Sequence, residues 1–129
     1  MTYSLHHVHL ICQDLEKMIT FFEEAIGAKF IKHRKFGTAD GASLDLQGIA
    51  INLRVARDGE ELRENLSPSN YGYDHIGLQV EDVQAAHDDL VQRGYSFFMP
   101  PTEIADNIIA FFKGPENITI ELLQPLEQK

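Results

Sequence analysis

Two segments decide how this chain folds: HVHLICQDL, from His7 to Leu15, and HIGLQVEDV, from His75 to Val83. They start 68 residues apart and carry the same pattern. In each, a histidine stands seven residues before an aspartate, and apolar residues occupy every second position between them, the period of a half-buried strand. Each aspartate is placed to cap a helix, and each helical pattern closes on a glycine, Gly27 in one copy and Gly94 in the other. A further match ends each copy, Ile49-Ala-Ile-Asn-Leu53 in the first and Ile118-Thr-Ile-Glu-Leu122 in the second. The chain is an internal duplication.

The rest of each copy follows from these anchors. Leu15, Met18, Ile19, Phe22 and Ile26 recur at helical spacing in one amphipathic helix; Val83, Ala86, Leu90 and Val91 repeat it more weakly, with His87 and Asp88 on the wet side. Extended segments over residues 30–36, 41–47 and 49–54 follow the first helix, and over 95–99, 107–113 and 118–123 the second. Turns are expected at Gly37 to Gly41 and at Gly114 to Asn117. Each copy therefore reads strand, helix, strand, strand, strand, an α+β pattern of two tandem βαβββ modules. Module 1 covers about residues 4–54 and module 2 about 73–124, joined by a charged and then Ser-Pro-Ser-Asn linker over about 55–72. Residues 1–129 are expected to form a single domain whose halves share one core and are not stable apart.

Bulk properties narrow the partners. Twenty acidic against eleven basic side chains give a net charge of −9, which repels a phosphate backbone and an anionic lipid surface, so neither nucleic acid nor membrane is an expected partner. The longest uninterrupted apolar run is Ile108 to Phe112, and the first residues carry no basic segment before an apolar stretch. A soluble, cytoplasmic protein is expected. The lone Cys12 forms no internal disulfide and reads as a small buried hydrophobe.

Strand alternation places the polar residues. Val8, Leu10 and Cys12 share one face of the first strand, and His7 and His9 the other; Ile76, Leu78 and Val80 alternate with His75, Gly77 and Gln79. The closing strands divide likewise, so that His7, His75, Asn52 and Glu121 all lie on the face turned away from the helices. Two imidazoles and a carboxylate form a ligand set for a divalent cation, with positions left for water or substrate oxygens. His9, one strand step past His7, is a candidate acid or base. Arg54 and Gln79 are candidate substrate contacts, Arg54 as a clamp for a carboxylate or phosphate. Gly77 leaves room beside His75, and His6 and His33, without repeat partners, read as surface residues.

These features resemble the vicinal oxygen chelate superfamily, the glyoxalase, bleomycin resistance protein and dioxygenase group. The resemblance runs from Leu5 to Leu123 and rests on the paired His-x6-Asp segments, the helix–glycine endings and the closing strand around Glu121. It implies a cupped mixed sheet with helices on its outer face. By position it makes His7, His75 and Glu121 the metal ligands, for Zn, Ni, Co, Mn or Fe, and Glu121 or His9 the catalytic base. It also implies a small-molecule substrate with adjacent oxygens, lyase, isomerase or epimerase chemistry, and a homodimer. The departure is Asn52, where members resembling glyoxalase I or methylmalonyl-CoA epimerase carry glutamate or glutamine; asparagine cannot act as a base. Two other classes stay open: an Fe(II)-dependent extradiol-type dioxygenase, and a non-catalytic cup resembling bleomycin-binding proteins.

Overall fold

The computed structural model describes residues 1–66 and 70–126, and the two copies form two compact units, Met1–Glu64 and Asn65–Lys129. The boundary falls inside the stretch expected to link the copies. The first unit contains β1 (His7–Ile11), α1 (Leu15–Thr20), β2 (Lys29–Phe36), β3 (Ala39–Leu46) and β4 (Ile49–Arg54), its four strands in the order β1-β4-β3-β2. The second contains β5 (Ile76–Gln79), α2 (Val83–Gln92), β6 (Phe97–Ile104), β7 (Asn107–Lys113) and β8 (Thr119–Pro125), in the order β5-β8-β7-β6. In both, the first strand runs parallel to the last and the other pairings are antiparallel. The helix supplies the crossover that a parallel pair requires. The fold is α+β, built from two βαβββ modules, each with its own four-stranded mixed sheet.

The helix starts form as the sequence dictates. Asp14 accepts a hydrogen bond from the Lys17 amide and Asp82 one from the Ala85 amide, each at 3.0 Å. The first helix then departs from expectation, because after Thr20 it widens into a π-helical turn over Phe21–Ile26. The amides of Gly27 and Ala28 both close on the Phe22 carbonyl. Widening turns two consecutive aromatics inward, and Phe21 and Phe22 are both buried with Met18 and Ile19. Regular 3.6-residue spacing would bring only one of the two fully inward.

The second helix corrects two smaller expectations. Its buried stripe is Val83 and Leu90, seven residues apart, and His87 lies on the same stripe. His87 therefore packs its ring on Phe97, with centroids 4.5 Å apart, instead of facing water, while Val91 is exposed. The core of this unit is completed by Ala110, Phe112, Ile120 and Leu122; Leu44, Ile51 and Leu53 complete that of the first.

The turn expected over Gly37 to Gly41 is shorter than its composition suggests. Only Gly37 and Thr38 turn, and Ala39 to Gly41 already belong to β3. Gly41 is there because of close packing: a Cβ would stand 2.3 Å from the Leu53 carbonyl oxygen and 2.6 Å from the Phe36 ring. Among the described residues no helix is long and apolar enough to cross a membrane.

Candidate functional site

Strand register aligns the two modules residue for residue. His7 pairs with Ala50 and His9 with Asn52 in the first; Gly77 pairs with Glu121 in the second, which sets His75 against the start of β8. His9 and Gly77 are thus equivalent, as are Asn52 and Glu121.

In module 2 the expected ligands converge. His75 Nε2 lies 3.3 Å from Glu121 Oε1, and Asp74 Oδ2 lies 2.7 Å from His75 Nδ1. The Asp74 carboxylate engages Nδ1, which leaves Nε2 as the ring nitrogen turned towards Glu121. This hydrogen bond is the main reason why the His75 pKa is raised above the ordinary histidine value; burial opposes it and the charge of Glu121 adds to it. Gly77 makes room for the carboxylate, since a Cβ there would lie 3.1 Å from Glu121 Oε1. Phe111, across the strand pair from Glu121, meets the His75 ring edge-on with centroids 5.1 Å apart. Two atoms bound to one divalent ion at about 2.0–2.2 Å, roughly 100° apart, lie about 3.0–3.5 Å from each other. The His75–Glu121 spacing has that size, so this pair fits two coordination positions. No third His, Cys, Asp or Glu side chain completes a metal-holding group among the described residues.

Module 1 presents a different set on the same backbone. His7 is exposed, and its Nδ1 lies 2.9 Å from Nδ1 of His6. His6 is exposed as expected, yet it does have a repeat counterpart, because the residue just before the histidine contacts Nδ1 in both modules. His9 packs on Phe36, with centroids 4.5 Å apart. Its pKa is lowered, by burial first and then by Arg54, His7, Arg57 and Arg34, which keeps the imidazole neutral at neutral pH. Asn52 Oδ1 accepts a hydrogen bond from the Ser43 hydroxyl at 2.9 Å, so the amide oxygen that would be its ligand atom is already engaged.

Arg54 is neither a free clamp nor a solvent-facing side chain. It is buried, and its guanidinium grips Glu60 through two hydrogen bonds of 2.6 and 3.1 Å while donating to the Val55 carbonyl. The fork is spent inside the protein. The same grip holds the Glu60 carboxyl at about 2, well below the usual range. Gln79 is exposed, in register with Leu123. His33 is exposed and meets Glu16 at 2.8 Å.

Asp74, Glu60 and Lys113 make contacts that strand alternation does not flag, with His75, Arg54 and Thr119 respectively. Asp74 could have been found from its place beside His75, equivalent to His6. Module 2 holds a cavity of about 580 Å³ whose lining includes Asp74, Phe98, Met99, Phe111, Lys113 and Thr119; Asp74 and Phe111 are the residues it shares with the surroundings of His75. That size lies in the range of small-molecule sites.

Comparison with known proteins places the chain in a family and agrees with its fold. The family model described as "Glyoxalase/Bleomycin resistance protein/Dioxygenase superfamily" matches residues 4–122. The chain is 28% identical to a lactoylglutathione lyase of Schizosaccharomyces pombe over 99% of its own length and 49% of the relative's, about half of that protein. It is 29% identical to a 2-epi-5-epi-valiolone epimerase of an Actinomyces species, over 98% of this chain and 84% of that one. The crystal structure of a glyoxylase/bleomycin resistance protein/dioxygenase domain from Frankia superposes with a TM-score of 0.81 at 22% identity, covering 100% of this chain and 96% of the other, a likeness of fold.

Proposed function

Because the chain belongs to the Glyoxalase/Bleomycin resistance protein/Dioxygenase superfamily, we propose that it is a metal-dependent enzyme of lyase, isomerase or epimerase type acting on a small substrate with two adjacent oxygens. The observation that carries this reading is the convergence of His75 Nε2 and Glu121 Oε1 at 3.3 Å, with Asp74 fixing the imidazole from behind. His7, brought in by its repeat position from whichever copy of the chain supplies it, is the third ligand of a divalent ion, one of Zn, Ni, Co, Mn or Fe. When bound, the ion would supply positive charge for the negative charge that develops on the two substrate oxygens.

The chain's own groups divide the remaining work. Asp74 holds His75 in the tautomer whose Nε2 can bind metal. His9, whose pKa is lowered by desolvation first and then by neighbouring cations, is the candidate to accept a proton from substrate carbon. Glu121, a carboxylate beside the same site, is the alternative base. Asn52 holds no proton-accepting group, so module 1 contributes no carboxylate base from its closing strand. A homodimer working in the cytoplasm completes the reading.

The test is elemental analysis of protein purified anaerobically without chelator, alongside a His7→Ala, Glu121→Ala double variant. Near-stoichiometric Zn, Ni, Co or Mn that disappears in the variant is the expected result. Iron with aerobic oxygen consumption would move the protein to ring-cleaving chemistry. A wild type that stays metal-free after reconstitution would overturn the proposal and leave a ligand-binding protein.

A further inference from the structure

Several polar side chains around the module 2 cavity are held by protein partners. The Asn65 side-chain amide donates to the carbonyls of Glu116 and Asn117, and the Asn117 amide donates back to the Asn65 carbonyl. The charge of Asp74 is directed at His75. Lys113 is held differently. Its ammonium donates to the neutral Thr119 hydroxyl at 2.6 Å and lies 5.4 Å from the centre of the Phe98 ring, and no carboxylate pairs with it among the described residues. Lys113 is thus an exposed cation at the wall of a cavity that also presents Tyr73, Phe98 and Phe111.

Phe98 and Phe111 lie nearly parallel, with planes 27° apart and centroids separated by 5.7 Å, and Phe98 is 58% exposed. Strand register relates the backbone of this platform and of Lys113 to that of Glu121. Lys113 pairs with Thr119 and Phe111 with Glu121, so the backbone of Lys113 and Thr119 lies two residues along the sheet from that of Phe111 and Glu121, a step of about 6.8 Å.

We propose that the substrate is a carboxylic acid: its carboxylate sits on Lys113, its apolar body lies against Phe98 and Phe111, and its reacting oxygen pair reaches the His75–Glu121 end about 6–7 Å away. This rests on the metal-site reading for the reacting end only. A single ammonium suits one carboxylate, whereas a phosphate is usually held by several donors.

The experiment follows amide and methyl NMR shifts of the chelator-treated protein during titration with 3-phenylpropionate and, separately, with 3-phenylpropionamide, its neutral isostere. The acid should bind at least about tenfold more tightly than the amide, with shifts at Phe98, Phe111 and Lys113. Lys113→Gln should bring the acid down to the level of the amide and leave the amide unchanged, while Lys113→Arg should retain the preference; Lys35→Gln, in module 1, should change neither. Equal binding of acid and amide, or a preference that survives Lys113→Gln, overturns the proposal. Metal is absent throughout, so failure here leaves the elemental analysis standing. An acid preference in a protein that never takes up metal would support the acid pocket and overturn only the catalytic reading.

Discussion

The two modules share a backbone and differ in what they put on it. Where module 2 has Gly77, Glu121 and Phe111 side by side across three strands, module 1 has His9, Asn52 and Ser43 at the same register positions. Each module keeps a histidine at the head of the parallel pair and a neighbour that touches its Nδ1, an aspartate in one and a second histidine in the other. Only module 2 keeps the carboxylate, and it has a glycine opposite that makes space for it. Module 1 instead ties its closing strand into internal contacts, Asn52 to Ser43 and Arg54 to Glu60. Duplication preserved the frame, while the adjoining histidine and carboxylate occur in one half.

The largest expected effect tests that concentration. His75→Ala or Glu121→Ala should weaken metal binding by on the order of a thousandfold, whereas Asn52→Ala should change it by less than about tenfold. Competition with a metal-sensitive dye measures both, and equal losses at positions 52 and 121 would remove the asymmetry between the modules.

Phe112→Ala, in the core of module 2, should cost about 3–5 kcal/mol, and Phe22→Ala in module 1 about the same. Urea denaturation that gives one cooperative transition for both variants would show that the halves share their stability. Two separable transitions would show instead that each module melts by itself.

Asp74→Asn keeps the size of the side chain and removes its charge. Metal affinity should fall about 10–100-fold with the fold unchanged by circular dichroism. His6→Ala, the equivalent change in module 1, should cost less, because an imidazole is a poorer proton acceptor for the ring than a carboxylate is.

Gly77→Ala places a methyl group 3.1 Å from the Glu121 carboxylate, so a modest loss of metal affinity with little change in melting temperature is expected. An unchanged affinity would show that the glycine serves backbone packing alone.

The smallest effect concerns the Arg54–Glu60 pair. The Glu60 carboxyl titrates at about 2 in the folded protein against an ordinary 4.5, held down first by its hydrogen bond from Arg54. A lowered folded pKa means that its contribution to stability is complete above about pH 4.5 and fades as pH falls towards 2. The stability gap between wild type and Glu60→Gln should therefore narrow over that interval. A gap that stays constant across it would assign the effect to packing instead.

Much of this was legible in the residues. The repeat, the caps at Asp14 and Asp82, the strand–helix–strand–strand–strand order and the shared face of His75 and Glu121 all follow from period, capping and turn chemistry, which act over a few neighbouring residues. Other features were not legible. The π-helical widening after Thr20 depends on two adjacent phenylalanines both finding space in a core. The burial of His87 depends on Phe97 arriving from another strand. The engagement of Arg54 depends on Glu60, which belongs to the stretch that read as linker.

What the amino-acid order settled, then, is the duplicated frame and the candidate ligand types, because both are written in short-range spacing. What the tertiary structure decided is which of those groups are available for chemistry. Among the described residues it left Lys113 without a carboxylate partner, engaged Arg54 with Glu60, and set His75 between Asp74 and Glu121. Whether a charged group is already paired depends on partners that are brought near by folding, and sequence spacing does not encode that distance.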